Sequence, residues 1–523
     1  MKSVCFYFKI HQPFRLKRYR FFDIGNDQYY YDDFANDEII NRLAEQSYIP
    51  MAKTLLEMIN SSNGEFKCAI SISGTAIEQL QLYVPEFIDL LKKLADTKCV
   101  EFLSGTYSHS LAALEDPEEF LREVKMHDAL IRREFGQKPK VFANTELIYD
   151  DDISLLIKAM GFNTCLTEGA KHILGWKSPN YVYSSCVAPD LKLLLTNTKL
   201  ANDIARNFNN PDWEEYPLTA EKYVDWIAAL PEEQQIINLY LAMDTFGSFL
   251  PASTGIFDFL KALPSFAKQR GIEFSTPSQA AKRLKPVDAL NVPFPISDIN
   301  EEADVSAWTG NDLQREALGK LYAIGERVNL CTDRRLKLDW EYLQSSDHFY
   351  YMSTGKNAAG AFSPYDSPFS AFTNYMNVLA DFIVRVEEQY PEEIGNEELN
   401  SLLLTIRNQA SEIESLNKEV KQLKQNLKSV GDATVAEGTE AASDKSLVLE
   451  GETMTETPVL IAEASDIEAP KSVIAEATTS KKPSRKPKAT TAAKAPQTPK
   501  TPKAPKADKA NKTTTKKSTK KTK

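Results

Sequence analysis

Lys140-Val141-Phe142-Ala143-Asn144-Thr145-Glu146-Leu147 is a short apolar run that closes on two polar residues and a carboxylate. A run this short, bounded by polar residues, predicts a buried strand that delivers Glu146 to its carboxyl end. Seven similar runs lie around it, at residues 4–10, 66–72, 99–103, 163–166, 191–196, 236–243 and 272–275. Amphipathic stretches separate most of them, and 75–93, 117–135 and 254–270 have helical spacing. Strand followed by helix, repeated, implies parallel strands joined by crossovers, hence an α/β sheet or a closed barrel. Either form puts its chemistry at the carboxyl ends of the strands. Eight runs are more than the pattern alone can each give a place, so one or two are expected to be peripheral.

The strand signal fades after about residue 290. Segments 312–328, 337–343 and 368–390 have the pattern of helices, predicting a helical unit over 291–395 after an α/β unit over 1–290. Leu402, Ile406, Gln409, Ile413, Leu416, Val420, Leu423 and Leu427 then recur at alternating spacings of four and three. That seam, flanked by Asn417, Lys418, Glu419, Lys421, Gln422 and Lys424, predicts a coiled coil over 398–430 and a homo-oligomer. A lone amphipathic helix packed on the domain is the alternative. Residues 431–523 lack aromatics, turning from acidic to rich in Lys, Thr, Ala and Pro, and such a segment cannot bury enough surface to fold.

Charge is segregated along the chain. Residues 481–523 carry a net +15 and residues 1–480 a net −26. An acidic body excludes a nucleic-acid-binding core, while the basic tail can make weak contact with polyanions. The six cysteines are scattered without a C-x-x-C pair. Nothing in the sequence reads as a secretory signal or a membrane span, so a cytoplasmic location and no membrane partner are expected.

Candidate chemistry sits at four strand ends. His11-Gln12-Pro13 follows the first run, and Gly105-Thr106-Tyr107-Ser108-His109-Ser110 follows the third. Asn144-Thr145-Glu146 ends the fourth, and Asp244-Thr245-Phe246-Gly247 follows 236–243. Two carboxylates with imidazole and aromatic neighbours suit paired-carboxylate chemistry on a polyhydroxyl ligand. Each residue alone is equally compatible with an ordinary packed or solvated role. Metal chemistry of the polysaccharide-deacetylase kind needs a His/Asp triad, commonly H-x-x-x-H, and His109, His127 and His172 have no such neighbour. No metal or cofactor is expected.

The first 385 residues or so resemble the α-amylase branch of glycoside hydrolase family 57. His11-Gln12-Pro13-Phe14-Arg15-Leu16 is similar to that family's first motif. Val100-Glu101-Phe102-Leu103 through Thr106-Tyr107-Ser108-His109-Ser110-Leu111 is similar to the second, and Asn144-Thr145-Glu146-Leu147-Ile148-Tyr149 to the third. Thr167-Glu168-Gly169, Gly175-Trp176-Lys177-Ser178-Pro179, Thr254-Gly255-Ile256-Phe257 and Ser346-Asp347-His348-Phe349-Tyr350-Tyr351-Met352 extend the match. The resemblance implies a seven-stranded (β/α) barrel followed by a helical bundle. It also implies retaining chemistry on α-1,4-glucans or oligosaccharides, with Glu146 as nucleophile. His11, Gln12, Tyr107 and His109 would hold the sugar, while Trp176 and Trp308 would stack on glucose rings or else pack.

The chain departs from the family pattern at the second carboxylate. Anchored on Phe246-Gly247, the acid/base position falls on Ala242, and Asp244 falls two residues later. On a strand, such residues share a face about 6.5–7 Å apart, so Asp244 is expected to enter the same cleft as a displaced acid/base. Gly105 stands where relatives often carry a glutamate, and Ser248-Phe249 where they carry a histidine. Losing a general acid costs about 10²–10⁴-fold in rate. Two readings therefore stand: a retaining glucan-active enzyme with impaired turnover, or an inactive glucan-binding or scaffold protein on the same barrel.

Overall fold

In the computed structural model, residues 1–355 and 363–389 are described, with scattered positions between 405 and 420. All eight apolar runs are strands. They are β1 (Ser3–Ile10), β2 (Cys68–Ile72), β3 (Val100–Phe102), β4 (Phe142–Ala143), β5 (Thr164–Thr167), β7 (Lys192–Leu195), β8 (Ile236–Ala242) and β9 (Glu273–Phe274). Two short strands escaped the pattern, β6 (Val182–Ser185) and β10 (Ala289–Leu290).

Parallel pairing runs β3-β2-β1-β8 in one path and β4-β5-β7 in the other. Parallel bridges Ser104↔Phe142 and Thr196↔Asn238 join the two paths, so β1, β2, β3, β4, β5, β7 and β8 form a ring of seven strands. β9 pairs with β1 only at Ser3 and Val4, and β6 runs antiparallel on β7. The inner faces of the ring fill its centre with Cys5, Tyr7, Ala69, Leu103, Val141, Leu166, Leu194 and Tyr240. A barrel of this size is a packed core rather than a channel. Phe6 and Phe8 alternate outward into the helical shell, so β1 is buried on both faces.

Helical punctuation follows local chemistry. Pro117–Phe135 starts on Asp116, whose side chain accepts from the N–H groups of Glu118 and Glu119. It ends on Gly136 at φ +66°, the left-handed geometry that glycine adopts freely. The expected helix 75–93 is instead two, Gly74–Tyr83 and Pro85–Asp96, because Pro85 has no N–H to continue the first and suits the opening of the second. The expected 312–328 helix divides likewise into Asp312–Tyr322 and Gly325–Leu330.

After β10 the described chain is helical. Helices Ser306–Thr309, Asp312–Tyr322, Arg334–Leu343 and Pro368–Gln389 bury Trp308, Leu318, Trp340 and Phe382 in one cluster. Phe142, Cys165 and Leu193 from the outer face of the ring belong to the same cluster, so helices and barrel share one core. Glu119, on the 117–135 helix, ties the two by accepting from Trp340 Nε1 and Gln344 Nε2, each at 2.8 Å. The described positions of the expected coiled coil are helical, with Ile413, Leu416 and Val420 at 59, 52 and 46% exposure. The rest of that segment and the tail from 431 lie outside the described residues. Among the described residues no helix is long and apolar enough to cross a membrane.

Candidate active site

Glu146 leaves β4 in the tight turn Thr145–Leu147 with φ +41°, and Leu147 follows at φ +54°. His109, after β3, has φ +56°. Three side-chain-bearing residues in the left-handed region cost roughly 1–3 kcal/mol each, and such strain concentrates at functional sites. The consequence is visible in the contacts. His109 Nε2 lies 3.0 Å from Glu146 Oε1, and Lys9 Nζ donates to both Glu146 oxygens at 2.6 and 2.5 Å. Burial alone would raise the Glu146 carboxyl, but Lys9 and His109 outweigh it and hold the group well below the usual carboxylate range. Burial, with His11 nearby, brings His109 down to about 4, so it faces Glu146 as a neutral imidazole.

His11 stacks on His109 with ring centroids 4.0 Å apart. Its Nδ1 meets Ser73 Oγ and its Nε2 meets Asp347 Oδ2, both at 2.8 Å. Burial would raise the Asp347 carboxyl, yet His11 and the other imidazoles keep it far below its ordinary value. Ser346 N donates to His109 O at 3.0 Å, so the segment carrying Asp347 is laced directly onto the barrel mouth. A chain of Glu146, His109, His11 and Asp347 thus crosses the mouth from β4 to the helical region.

The opposite side is built differently. Lys9 and Ala242 are register partners across the β1–β8 ladder and share the face that carries Tyr7 and Tyr240 into the barrel. Where the family pattern calls for an acid, the structure has a methyl group with an ammonium beside it. Asp244 corrects the expectation of a shared strand face: β8 stops at Ala242, and Asp244 lies in the turn Met243–Thr245. Its carboxyl is nevertheless within electrostatic range of Lys9 and Glu146, and burial raises it above its ordinary value.

Other candidates divide by their partners. Tyr107 gives its hydroxyl to Glu78, and its ring fills the space a β-carbon at Gly74 would need. Gln12 accepts from Arg15 at 2.7 Å and donates to Tyr48. Both are buried, with their polar ends bonded to other side chains. Trp308 is 1% exposed within the helical core, so no face of it can stack on a sugar; packing is its role. Trp176 is 92% exposed in the β5–β6 connection. Gly105 has its own reason: a β-carbon there would stand 2.9 Å from Ala143 O. Its N–H donates to His127 Nδ1, whose Nε2 lies 2.7 Å from Ile72 O, which fixes His127 as a neutral strut.

Three residues at the mouth were not singled out from the sequence. Lys9 had a signal, a charge within the apolar run 4–10. Asp347 lay inside a matched motif. Asp298 had none, because it sits in a loop that folds back against Glu146, its N–H donating to Glu146 O at 3.1 Å.

Residues 5–293 match the model described as glycosyl hydrolase family 57. A Methanocaldococcus jannaschii protein named "Putative alpha-amylase" is 39% identical over 404 residues, covering 74% of this chain and 85% of that one. The 4-alpha-glucanotransferase of Thermococcus litoralis has a TM-score of 0.56 at 14% identity, covering 75% of this chain and 61% of its own. A family 57 branching enzyme of Thermococcus kodakaraensis gives 0.55 at 15%, covering 76% and 92%. The two structures speak to the fold, and the matched model and the 39% relative to descent. This chain belongs to glycosyl hydrolase family 57.

Proposed function

We propose that the protein acts on α-1,4-glucans such as glycogen, starch or maltooligosaccharides by retaining chemistry, with Glu146 as nucleophile. One observation carries this reading: Glu146 is held ionised at the end of β4, on strained backbone, in bond distance of His109. A carboxylate kept charged in a buried mouth is ready to attack an anomeric carbon. His109 and His11 would hold hydroxyl groups of the ring, and Trp176 would offer an aromatic face further out. The 39% identical relative named "Putative alpha-amylase" supports the substrate class. The test is release of fluoride from α-maltotriosyl fluoride, whose leaving group needs little acid help. Turnover by the wild type and its loss in Glu146→Gln is the expected result; no release above buffer would sink the reading.

A second reading, a glucan-binding protein with little turnover, is favoured by Lys9, which occupies both Glu146 oxygens beside the methyl of Ala242. Maltoheptaose binding measured by calorimetry without product formation would select it.

We further propose the units 1–290, 291–395, 398–430 and 431–523, with self-association through the 398–430 coiled coil. The exposure of Ile413, Leu416 and Val420 along a helix supports an apolar seam awaiting a partner. The basic tail is proposed to contact polyanions weakly. A cytoplasmic location suits six cysteines that form no disulfide, five of them buried.

A further inference from the structure

Retaining chemistry needs a proton donor as well as a nucleophile, with the two carboxyl groups about 5–5.5 Å apart. Ala242 cannot donate, and the ammonium of Lys9 is bound to Glu146 and held above its ordinary value by the surrounding carboxylates despite its burial. Three carboxyls at the strand ends are raised: Glu168, whose two oxygens are taken by the Thr196 and Thr198 hydroxyls, and Asp244 and Asp298, each with an oxygen left over.

Their settings differ. Asp298 lies in a segment that pairs with the stretch after β4: Ile296 bridges Tyr149 with bonds of 2.9 and 3.1 Å, and Asp298 N donates to Glu146 O at 3.1 Å. Ser297 Oγ donates to Asp304 O at 2.5 Å, pinning the loop from the other side. Backbone thus holds Asp298 to Glu146 directly, independent of where β8 ends. The Asp298 carboxyl is within electrostatic range of Lys9 on β1, Glu146 after β4, Glu168 after β5 and Tyr240 on β8. Charged or ionisable groups from four strands of the ring thus act on it. Its Oδ1 is buried without a hydrogen-bond partner. A buried, unpartnered carboxyl oxygen is costly unless something arrives to use it. Asp244 also has a buried unpartnered oxygen and lies within electrostatic range of the same Lys9 and Glu146, but it hangs from the turn after β8, whereas Asp298 is bonded through its backbone to Glu146 itself.

We propose that Asp298 is the general acid/base that complements Glu146, taking the part that Ala242 leaves open. The assignment rests on the reading of Glu146 as nucleophile. In the first half-reaction a Glu146 oxygen bonds to the anomeric carbon, the glycosidic C–O bond breaks, and the proton of Asp298 moves to the departing oxygen. In the second, the Asp298 carboxylate takes a proton from water, the water oxygen bonds to the anomeric carbon, and the ester bond to Glu146 breaks. A glucan hydroxyl in place of water gives transfer. Burial first, and then the Glu146 charge, push Asp298 well above its ordinary carboxyl value, with Lys9 opposing, which favours its protonated form. Asp298 lies beyond the 5–293 span that matches the family model.

The test compares two substrates in the full-length protein. For Asp298→Asn, kcat/KM on maltoheptaose is expected to fall about 10²–10⁴-fold, while α-maltotriosyl fluoride loses far less in the glycosylation step. Azide is expected to restore the second step and yield α-maltotriosyl azide. The alkaline limb of kcat/KM against pH, present in the wild type, disappears in the variant. Asp244→Asn lowers both substrates alike. If Asp298→Asn fails to fold, Asp298→Glu carries the same substrate comparison. Wild-type turnover that needs Glu146 but is unchanged in Asp298→Asn, or falls equally on both substrates, overturns the assignment alone. The same is true if Asp244→Asn shows the leaving-group pattern. A wild type that releases no fluoride overturns the reading of Glu146, and Asp298 with it.

Discussion

The two sides of the barrel mouth solve opposite electrostatic problems. At the β3 and β4 ends, strained backbone brings His109 to Glu146, and a cation keeps the carboxylate charged. At the β8 end, the register partner of Lys9 is an alanine, and the acid in the following turn, Asp244, is raised rather than lowered; Asp298, carried back to Glu146 by the loop that pairs after β4, is raised as well. One carboxyl keeps its negative charge and the other two favour a proton. Divergent environments of this kind are how carboxyl pairs divide nucleophile and acid roles. The comparison teaches that an absent acid at one position does not by itself disarm a site whose electrostatics still separate its carboxyls.

The harshest way to break this contrast is Glu146→Gln, which removes the charged partner. Fluoride release is expected to fall on the order of 10⁴–10⁶-fold, as when a nucleophile is lost from a concerted set. Next in size is Lys9→Met, which leaves Glu146 buried without its cation. Breaking such a pair from one side costs about 3–5 kcal/mol, measured by denaturant unfolding. Lys9→Met with Glu146→Gln should recover most of that loss, and no recovery would show that Lys9 stabilises through other contacts.

His127 sharpens the comparison through pH. Burial brings it down to about 4 from an ordinary 6.5. The unfolded chain therefore takes up this proton first, and stability from His127 is whole above pH 6.5 and drains away towards pH 4. His127→Gln removes that dependence, so wild type and variant should converge by up to about 3 kcal/mol over this window. Parallel curves would refute the assignment of a neutral strut. The smallest effect expected is from Ala242→Asp. With Asp298 supplying the proton, maltoheptaose turnover changes less than about tenfold, or about 1.4 kcal/mol. A gain of two decades would mean the β8 side was truly missing its acid.

Much of the ring was legible because buried parallel strands are written as apolar runs, and all eight runs are strands. β6 and β10 were missed, β6 because Val182-Tyr183-Ser184-Ser185 is half polar and β10 because it is two residues long. Helix breaks at Pro85 and Gly325 were readable from residue type but were overridden by longer amphipathic spacing. At the site, Glu146, His109 and His11 were marked by their places at strand ends. Trp308 was left open between stacking and packing because indoles serve cores and sugar faces equally well, and only burial separates the two. Asp298 left no trace because its role depends on a loop folding back over 150 residues of intervening chain, and local pattern carries no information about such closure.

Gly105 bears on what the protein could become. A side chain at this position cannot simply be put back, since its first carbon would stand 2.9 Å from a backbone oxygen of β4. That strand in turn sets the backbone from which Glu146 projects. Refilling Gly105 would therefore disturb Glu146 unless β4 moved first, which makes the change epistatic: its effect depends on another that must precede it. The present mouth is a local optimum from which single substitutions at Gly105 lead only downhill, and an engineer seeking a fuller polar shell would have to redesign β3 and β4 together.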